Sequence, residues 1–215
     1  MNDLRSAPWP TLKRDLVAIL RGLTPDDCEP VVGALLEAGF EAIEIPLNSP
    51  DAFTSIAAAA RMAPDGVLIG AGTVLTPDDT DRLHAAGGRL LVSPNVDPTV
   101  LHRAAVHGMV TMPGVFTPTE ALAAAAAGAS ALKFFPANVL GPNGIKAISA
   151  VLPKGLAVGA VGGVSEADFA AYGAIGVRHF GLGSSLYKPG DDAATVRVRA
   201  DKAVAAYDAA FPEGQ

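Results

Sequence analysis

Residues 110–136 read VTMPGVFTPTEALAAAAAGASALKFFP, and one architectural unit is legible in them. Val110–Pro113 is a short apolar run. Thr117-Pro118-Thr119-Glu120 follows with a hydroxyl at the N-cap position, proline at the first helical position and an acid two residues later. The hydroxyl accepts a bond from an orphan N–H, and the carboxylate favours the positive end of the helix dipole. An alanine-rich stretch then runs to Ala127-Gly128, where glycine permits the left-handed conformation that ends a helix. A second apolar run, Ala131–Phe135, comes next. This is strand, helix, strand.

The unit recurs in both directions along the chain. Apolar runs stand at Leu16–Leu20, Ala42–Pro46, Leu68–Gly72, Leu90–Ser93, Val110–Pro113, Ala131–Phe135, Ala157–Val161 and His179–Gly183. Continuous short runs of this kind suit strands buried on both faces. The intervals hold a loop, a helix and a return loop. Thr24-Pro25-Asp26-Asp27 and Thr76-Pro77-Asp78-Asp79 repeat the helix start, with Asp97-Pro98 and Ser165-Glu166-Ala167-Asp168 as variants. Gly39, Gly87 and Gly108 repeat the stop. Eight alternations predict a parallel (β/α)8 TIM barrel rather than a doubly wound open sheet. No linker divides residues 1–215, so one domain is expected. The segment through Lys13 is expected to be a short N-terminal cap or extra helix, and Pro8-Trp9-Pro10 excludes a regular helix interior there.

Composition agrees. Of 215 residues, 50% are hydrophobic and 18% charged, enough apolar material for a sizeable core. A net charge of −6 argues against a nucleic-acid or anionic-membrane partner. Cys28 is the only cysteine, which excludes an intrachain disulfide and fits a cytoplasmic protein. Met1–Lys13 lacks the apolar core of a signal peptide, and no apolar stretch reaches membrane-spanning length.

Barrel chemistry sits at the C-terminal strand ends, so charges there stand out. Lys133 shares one strand face with Ala131 and Phe135. An ammonium buried in this way escapes its desolvation cost by a lowered pKa. At the ordinary pKa roughly one lysine in 2,500 is neutral at pH 7, and only the neutral amine attacks a ketone. Burial therefore points to imine catalysis, with a snorkelling or ion-paired lysine as the ordinary alternative. Glu44 sits on the second run, where isoleucine neighbours raise its pKa and a nearby cation lowers it; it is a proton shuttle or a structural ion-pair partner. Arg21 leaves the first run, placed either to grip a carboxylate or to form a rim ion pair. Thr73 and Pro94 close the third and fourth runs, as pocket residues or as turn formers.

The seventh and eighth runs exit through Gly162-Gly163 and Gly181-Leu182-Gly183-Ser184. Bare backbone lets N–H groups approach an anion, a following short helix adds its positive end, and barrels often bind phosphate at these two exits. The remaining lysines, Lys188 among them, read as solvated charges. The histidines lack ligand spacing, so no metal is expected. A reactive role for Cys28 is less expected than a bystander's.

Ala18-Ile19-Leu20-Arg21-Gly22, Glu44-Ile45-Pro46-Leu47-Asn48-Ser49-Pro50, Gly70-Ala71-Gly72-Thr73-Val74-Leu75, Ser93-Pro94-Asn95, Leu132-Lys133-Phe134-Phe135-Pro136 and Gly162-Gly163-Val164 occur in order. Together they resemble the 2-keto-3-deoxy-6-phosphogluconate and -galactonate aldolase family, from Leu16 to about Tyr187. The resemblance implies an imine on Lys133, proton transfer by Glu44, and a pyruvate-derived part held by Arg21 and Thr73 in a pocket shaped by Pro94. It further implies a distal phosphate on Gly162, Gly163, Gly183 and Ser184. A homotrimer, a small sugar-acid phosphate as the partner, and no cofactor or catalytic metal are also implied. The gluconate branch resembles Glu-x-Thr-Leu-Arg-Thr after the second strand and tends to carry threonine where Val161 stands. Asn48 and Val161 thus favour a galactonate-type substrate, because valine cannot hydrogen-bond a sugar hydroxyl. A gluconate-specific aldolase, an imine-free phosphosugar isomerase or epimerase, and a noncatalytic sensor are the competing readings.

Overall fold

The computed structural model describes residues 4–212. Its strands, all parallel to their neighbours, follow the order β5-β4-β3-β2-β1-β9-β8-β7-β6. They are β1 (Leu16–Ile19), β2 (Ala42–Glu44), β3 (Leu68–Ala71), β4 (Leu90–Val92), β5 (Val110–Met112), β6 (Gly114–Val115), β7 (Ala131–Phe134), β8 (Ala157–Val161) and β9 (His179–Leu182). Only Pro113 separates β5 from β6. Val110–Met112 pair with β4, and Gly114–Val115 pair with β7. The two are halves of one stave, and through them the sheet closes into the expected eight-stave TIM barrel. The fifth run was expected to continue unbroken to Pro113. Proline has no N–H for a ladder, so the stave breaks there, while the Pro113 carbonyl still accepts from Lys133 N–H at 2.9 Å.

A helix follows each stave: α1 (Pro25–Ala38), α2 (Ala52–Met62), α3 (Pro77–Ala85), α4 (Pro98–Val106), α5 (Pro118–Ala126), α6 (Ala137–Ser149), α7 (Phe169–Gly173, after a 3-10 turn at Glu166–Asp168) and α8 (Ala193–Ala210). The caps act as their sequences suggest. Thr24, Thr76 and Thr117 accept from the N–H groups of Asp27, Asp79 and Glu120. At α5 the Glu120 carboxylate reaches back to Thr117 N–H at 2.8 Å, completing a capping box.

Two apolar clusters lie on the two faces of the sheet. Leu16, Ala18, Ile43, Ile45, Leu132, Phe134, Phe180 and Leu182 face outward against the helices. Val17, Ile19, Ala42, Leu90, Val92, Val110, Met112, Ala131 and Val161 fill the barrel. Strand alternation produces this division and places Glu44 and Lys133 on the inner set.

The N-terminal segment closes the end of the barrel opposite the strand exits. It is extended, not helical. Ala7 bridges in parallel to Val110 and donates to Met109 O at 2.9 Å. Trp9 donates to Asp15 at 2.9 Å and meets the His179 ring edge-on. Ala7, Trp9 and Leu12 pack against the inner cluster, so the lumen is sealed below and open above.

Candidate active site

A cavity of about 380 Å³ opens where the staves end. Nine of the ten residues singled out from the sequence line it: Arg21, Glu44, Thr73, Lys133, Val161, Gly162, Gly163, Gly183 and Ser184. Pro94 stands apart. It is exposed beyond β4, outside the cavity wall, with its carbonyl oxygen 2.4 Å from where a Cβ on Gly114 would sit. The wall also holds Ile19, Phe135, Gly181, Tyr187, Lys188 and Pro189, which sequence reasoning did not assign to the site.

Lys133 is 7% exposed and Glu44 2% exposed, on the inner face of β7 and β2. The Lys133 ammonium lies over the Phe135 ring, 4.7 Å from its centre. Burial holds its pKa below the ordinary lysine value; Glu44 opposes that shift and Arg21 reinforces it. Burial pushes Glu44 up to about 7, against the opposing pull of Lys133, Arg21 and the nearby Gly72 N–H. Glu44 Oε2 is buried without a hydrogen-bond partner. The pair thus joins an amine biased toward neutrality to a carboxyl group that titrates near pH 7. A nucleophile beside a proton carrier is what carbonyl addition and dehydration require.

The third exit loop makes room for that carboxylate. A Cβ on Gly72 would lie 2.1 Å from Glu44 Oε2, so no side chain fits there while Glu44 keeps its place. Thr73 follows with a φ of 57°, left-handed although β-branched. Such a backbone costs on the order of 1–3 kcal/mol. The β2 exit clamps this loop: Gly72 donates to Ile45 O at 3.3 Å and accepts from Leu47 N–H at 2.8 Å. On the neighbouring exit, Ser49 Oγ accepts from Gly22 N–H at 2.8 Å, which fixes the loop carrying Arg21.

The glycine exits lie as the sequence suggests. Gly162 and Gly163 both adopt positive φ, at 91° and 68°. After β9 the expected short helix is a single turn, in which Leu186 and Tyr187 N–H both donate to Gly183 O. Among the described residues no carbonyl takes the N–H groups of Gly163 or Ser184. Exposed donors on both loops suit an anionic oxygen.

Outside the cavity, His84 and His107 stack at 4.1 Å between α3 and α4, and His107 pairs with Asp81 at 2.6 Å. Their sequence positions gave no sign of this meeting. Among the described residues no group of three or more His, Cys, Asp or Glu side chains is placed to hold a metal ion. Cys28 is buried, donates to Ser55 O at 3.2 Å, and has its thiol pushed up to about 11, so it is no thiolate at neutral pH.

A sequence model described as KDPG and KHG aldolase matches residues 11–197. The chain is 68% identical, over 95% of its length and 96% of the relative's, to a Rhizobium meliloti (strain 1021) protein named "Probable 2-dehydro-3-deoxy-6-phosphogalactonate aldolase". It is 48% identical to the 2-dehydro-3-deoxy-6-phosphogalactonate aldolase of Escherichia coli (strain K12), over 93% and 97% of the two chains. A solved structure described as native KDPGal superposes with a TM-score of 0.91 at 47% identity, covering 94% of this chain and 98% of that one. Fold, cavity and sequence relationship converge, and the chain belongs to the KDPG and KHG aldolase family.

Proposed function

We propose that the barrel, acting as one catalytic domain, cleaves 2-dehydro-3-deoxy-6-phospho-D-galactonate reversibly to pyruvate and D-glyceraldehyde 3-phosphate. The observation that carries this reading is the buried pair of Lys133 and Glu44 inside one cavity. Neutral Lys133 attacks the C2 ketone, and the carbinolamine loses water to give a protonated imine. Glu44, through a water, takes the proton of the C4 hydroxyl as the C3–C4 bond breaks. The bonding electrons pass from C3 into the imine, giving an enamine and releasing the aldehyde. Protonation at C3 and hydrolysis then return pyruvate and the free amine. Arg21 and Thr73 hold the carboxylate end, and the glycine exits hold the phosphate.

One cavity residue supports the galactonate epimer: Val161 lines the wall without offering a hydroxyl. Asn48, the other position expected to bear on the substrate, is exposed outside the cavity wall and adds no contact there. The relatives at 68% and 48% identity carry that substrate in their names. The test compares kcat/KM for the two C4 epimers, with pyruvate release as the readout. Preference for the galactonate compound is expected, and a strong preference for the gluconate compound overturns the substrate assignment. The same reading takes the protein as a cytoplasmic homotrimer, which sedimentation equilibrium checks by mass. No helix of the described residues is long and apolar enough to cross a membrane.

A further inference from the structure

We propose that Lys188 is the side-chain cation of the phosphate-binding end of the cavity, and that it sets the preference for phosphorylated over unphosphorylated aldehydes. The inference rests on the aldolase reading above and extends it to a residue not assigned there. The substrate carries a carboxylate at one end and a phosphate dianion at the other. The cavity wall offers three cations, Arg21, Lys133 and Lys188, against one acid, Glu44. On that reading Lys133 and Glu44 serve the chemistry and Arg21 serves the carboxylate end. Without Lys188 the dianion would rest on backbone N–H groups and one serine hydroxyl alone.

The β9 exit brings Lys188 to that end. Gly183 and Ser184 line the cavity, the single turn closed on Gly183 O follows, and Lys188 returns to the rim of the same cavity. Its backbone is anchored, because Lys188 N–H donates to Asp191 Oδ2 at 2.7 Å. The Asp191 carboxylate is itself engaged by Arg199. Pro189 seals the neighbouring seam: a Cβ on Gly22 would lie 2.6 Å from Pro189 Cγ, so the β1 and β9 exits are in contact. Lys188 is exposed and forms no salt bridge among the described residues. Asp191 lies within electrostatic reach of Lys188, but its carboxylate is already paired with Arg199. An anchored backbone, an ammonium without a salt bridge and glycine-borne N–H donors on one loop make a dianion site in which lysine acts as a point charge. They also show how a chain of net charge −6 attracts an anionic substrate locally.

The test uses the full chain in the condensation direction, with pyruvate and either D-glyceraldehyde 3-phosphate or D-glyceraldehyde. Lys188→Ala and Lys188→Gln are expected to lower the ratio of kcat/KM for the phosphorylated over the plain aldehyde by about tenfold, the size of one lost charge-assisted contact. The loss is expected mainly in KM for the phosphorylated aldehyde, with a weaker dependence of that KM on salt. Lys188→Arg is expected to restore most of the ratio. An unchanged ratio in the variants of an active enzyme, or equal losses with both aldehydes, overturns the assignment of Lys188 alone. If the unsubstituted protein turns over neither aldehyde, the aldolase reading falls and this assignment falls with it.

Discussion

Lys133 carries its amine on a strand covered on both faces, and Glu44 carries its carboxylate on another. The polarity of each surprises only because its neighbours are apolar, which is why both were legible in the sequence. Thr73 and Lys188 were harder. Nothing in a β-branched residue announces a left-handed backbone, and a lysine in a loop reads as solvated until the loop's path is known. The pH consequence belongs to Glu44. Its folded pKa of about 7 lies above the ordinary 4.5, so the native state holds this proton more tightly than the unfolded chain. The stability this provides is full below pH 4.5 and is lost as pH rises through about 7. Glu44→Gln cannot ionise. Relative to the unsubstituted protein it is expected to gain stability over that window, by at most about 3 kcal/mol, read as Tm against pH. The same substitution is expected to lower kcat by roughly 10²–10⁴-fold and to remove the acid limb of the kcat/KM profile near pH 7. An acid limb that survives in Glu44→Gln assigns the proton transfer to another group.

At the scale of elements, the barrel was readable because strand runs, threonine caps and glycine stops repeat the same instructions. The fifth stave shows the limit of that reading. Its apolar run is clear, but only the closed sheet shows Pro113 as the point where the ladder changes partner from β4 to β7. The pairing of His84 with His107 was hidden for a similar reason, since it depends on how α3 packs on α4. The helix caps give a direct test of the local argument. Thr117→Ala removes the hydroxyl half of the α5 capping box, in which Thr117 Oγ1 accepts from Glu120 N–H at 3.3 Å. It is expected to cost about 1 kcal/mol in denaturant unfolding, with the kinetic constants unchanged, because Thr117 lies outside the cavity wall. A loss of activity without a loss of stability would show that this cap serves the site and not the helix.

Across the whole molecule the two barrel ends have separate tasks. The N-terminal segment seals one end through Trp9, Asp15 and His179, and the strand exits open the cavity at the other. Trp9→Ala is therefore expected to lower stability by about 2 kcal/mol while leaving kcat/KM near its original value. A collapse of kcat/KM in a folded Trp9→Ala protein would show that the two ends are coupled. The site depends on residues far apart in the chain, from Arg21 to Lys188, and barrel closure brings their exits to one mouth. What the repeat pattern specified was that closure; what it left open was which loop residues reach the cavity mouth, where Lys188 stands at the rim and Pro94 lies outside the wall. All of this chemistry passes through an imine on Lys133. Incubation with pyruvate and borohydride, followed by peptide mass mapping, detects that bond. An imine on Lys133 gives one reduced pyruvate adduct, carried on Lys133 and absent from an inactive Lys133→Ala protein. An unmodified Lys133, an adduct only on another lysine, or full activity in Lys133→Ala would contradict it.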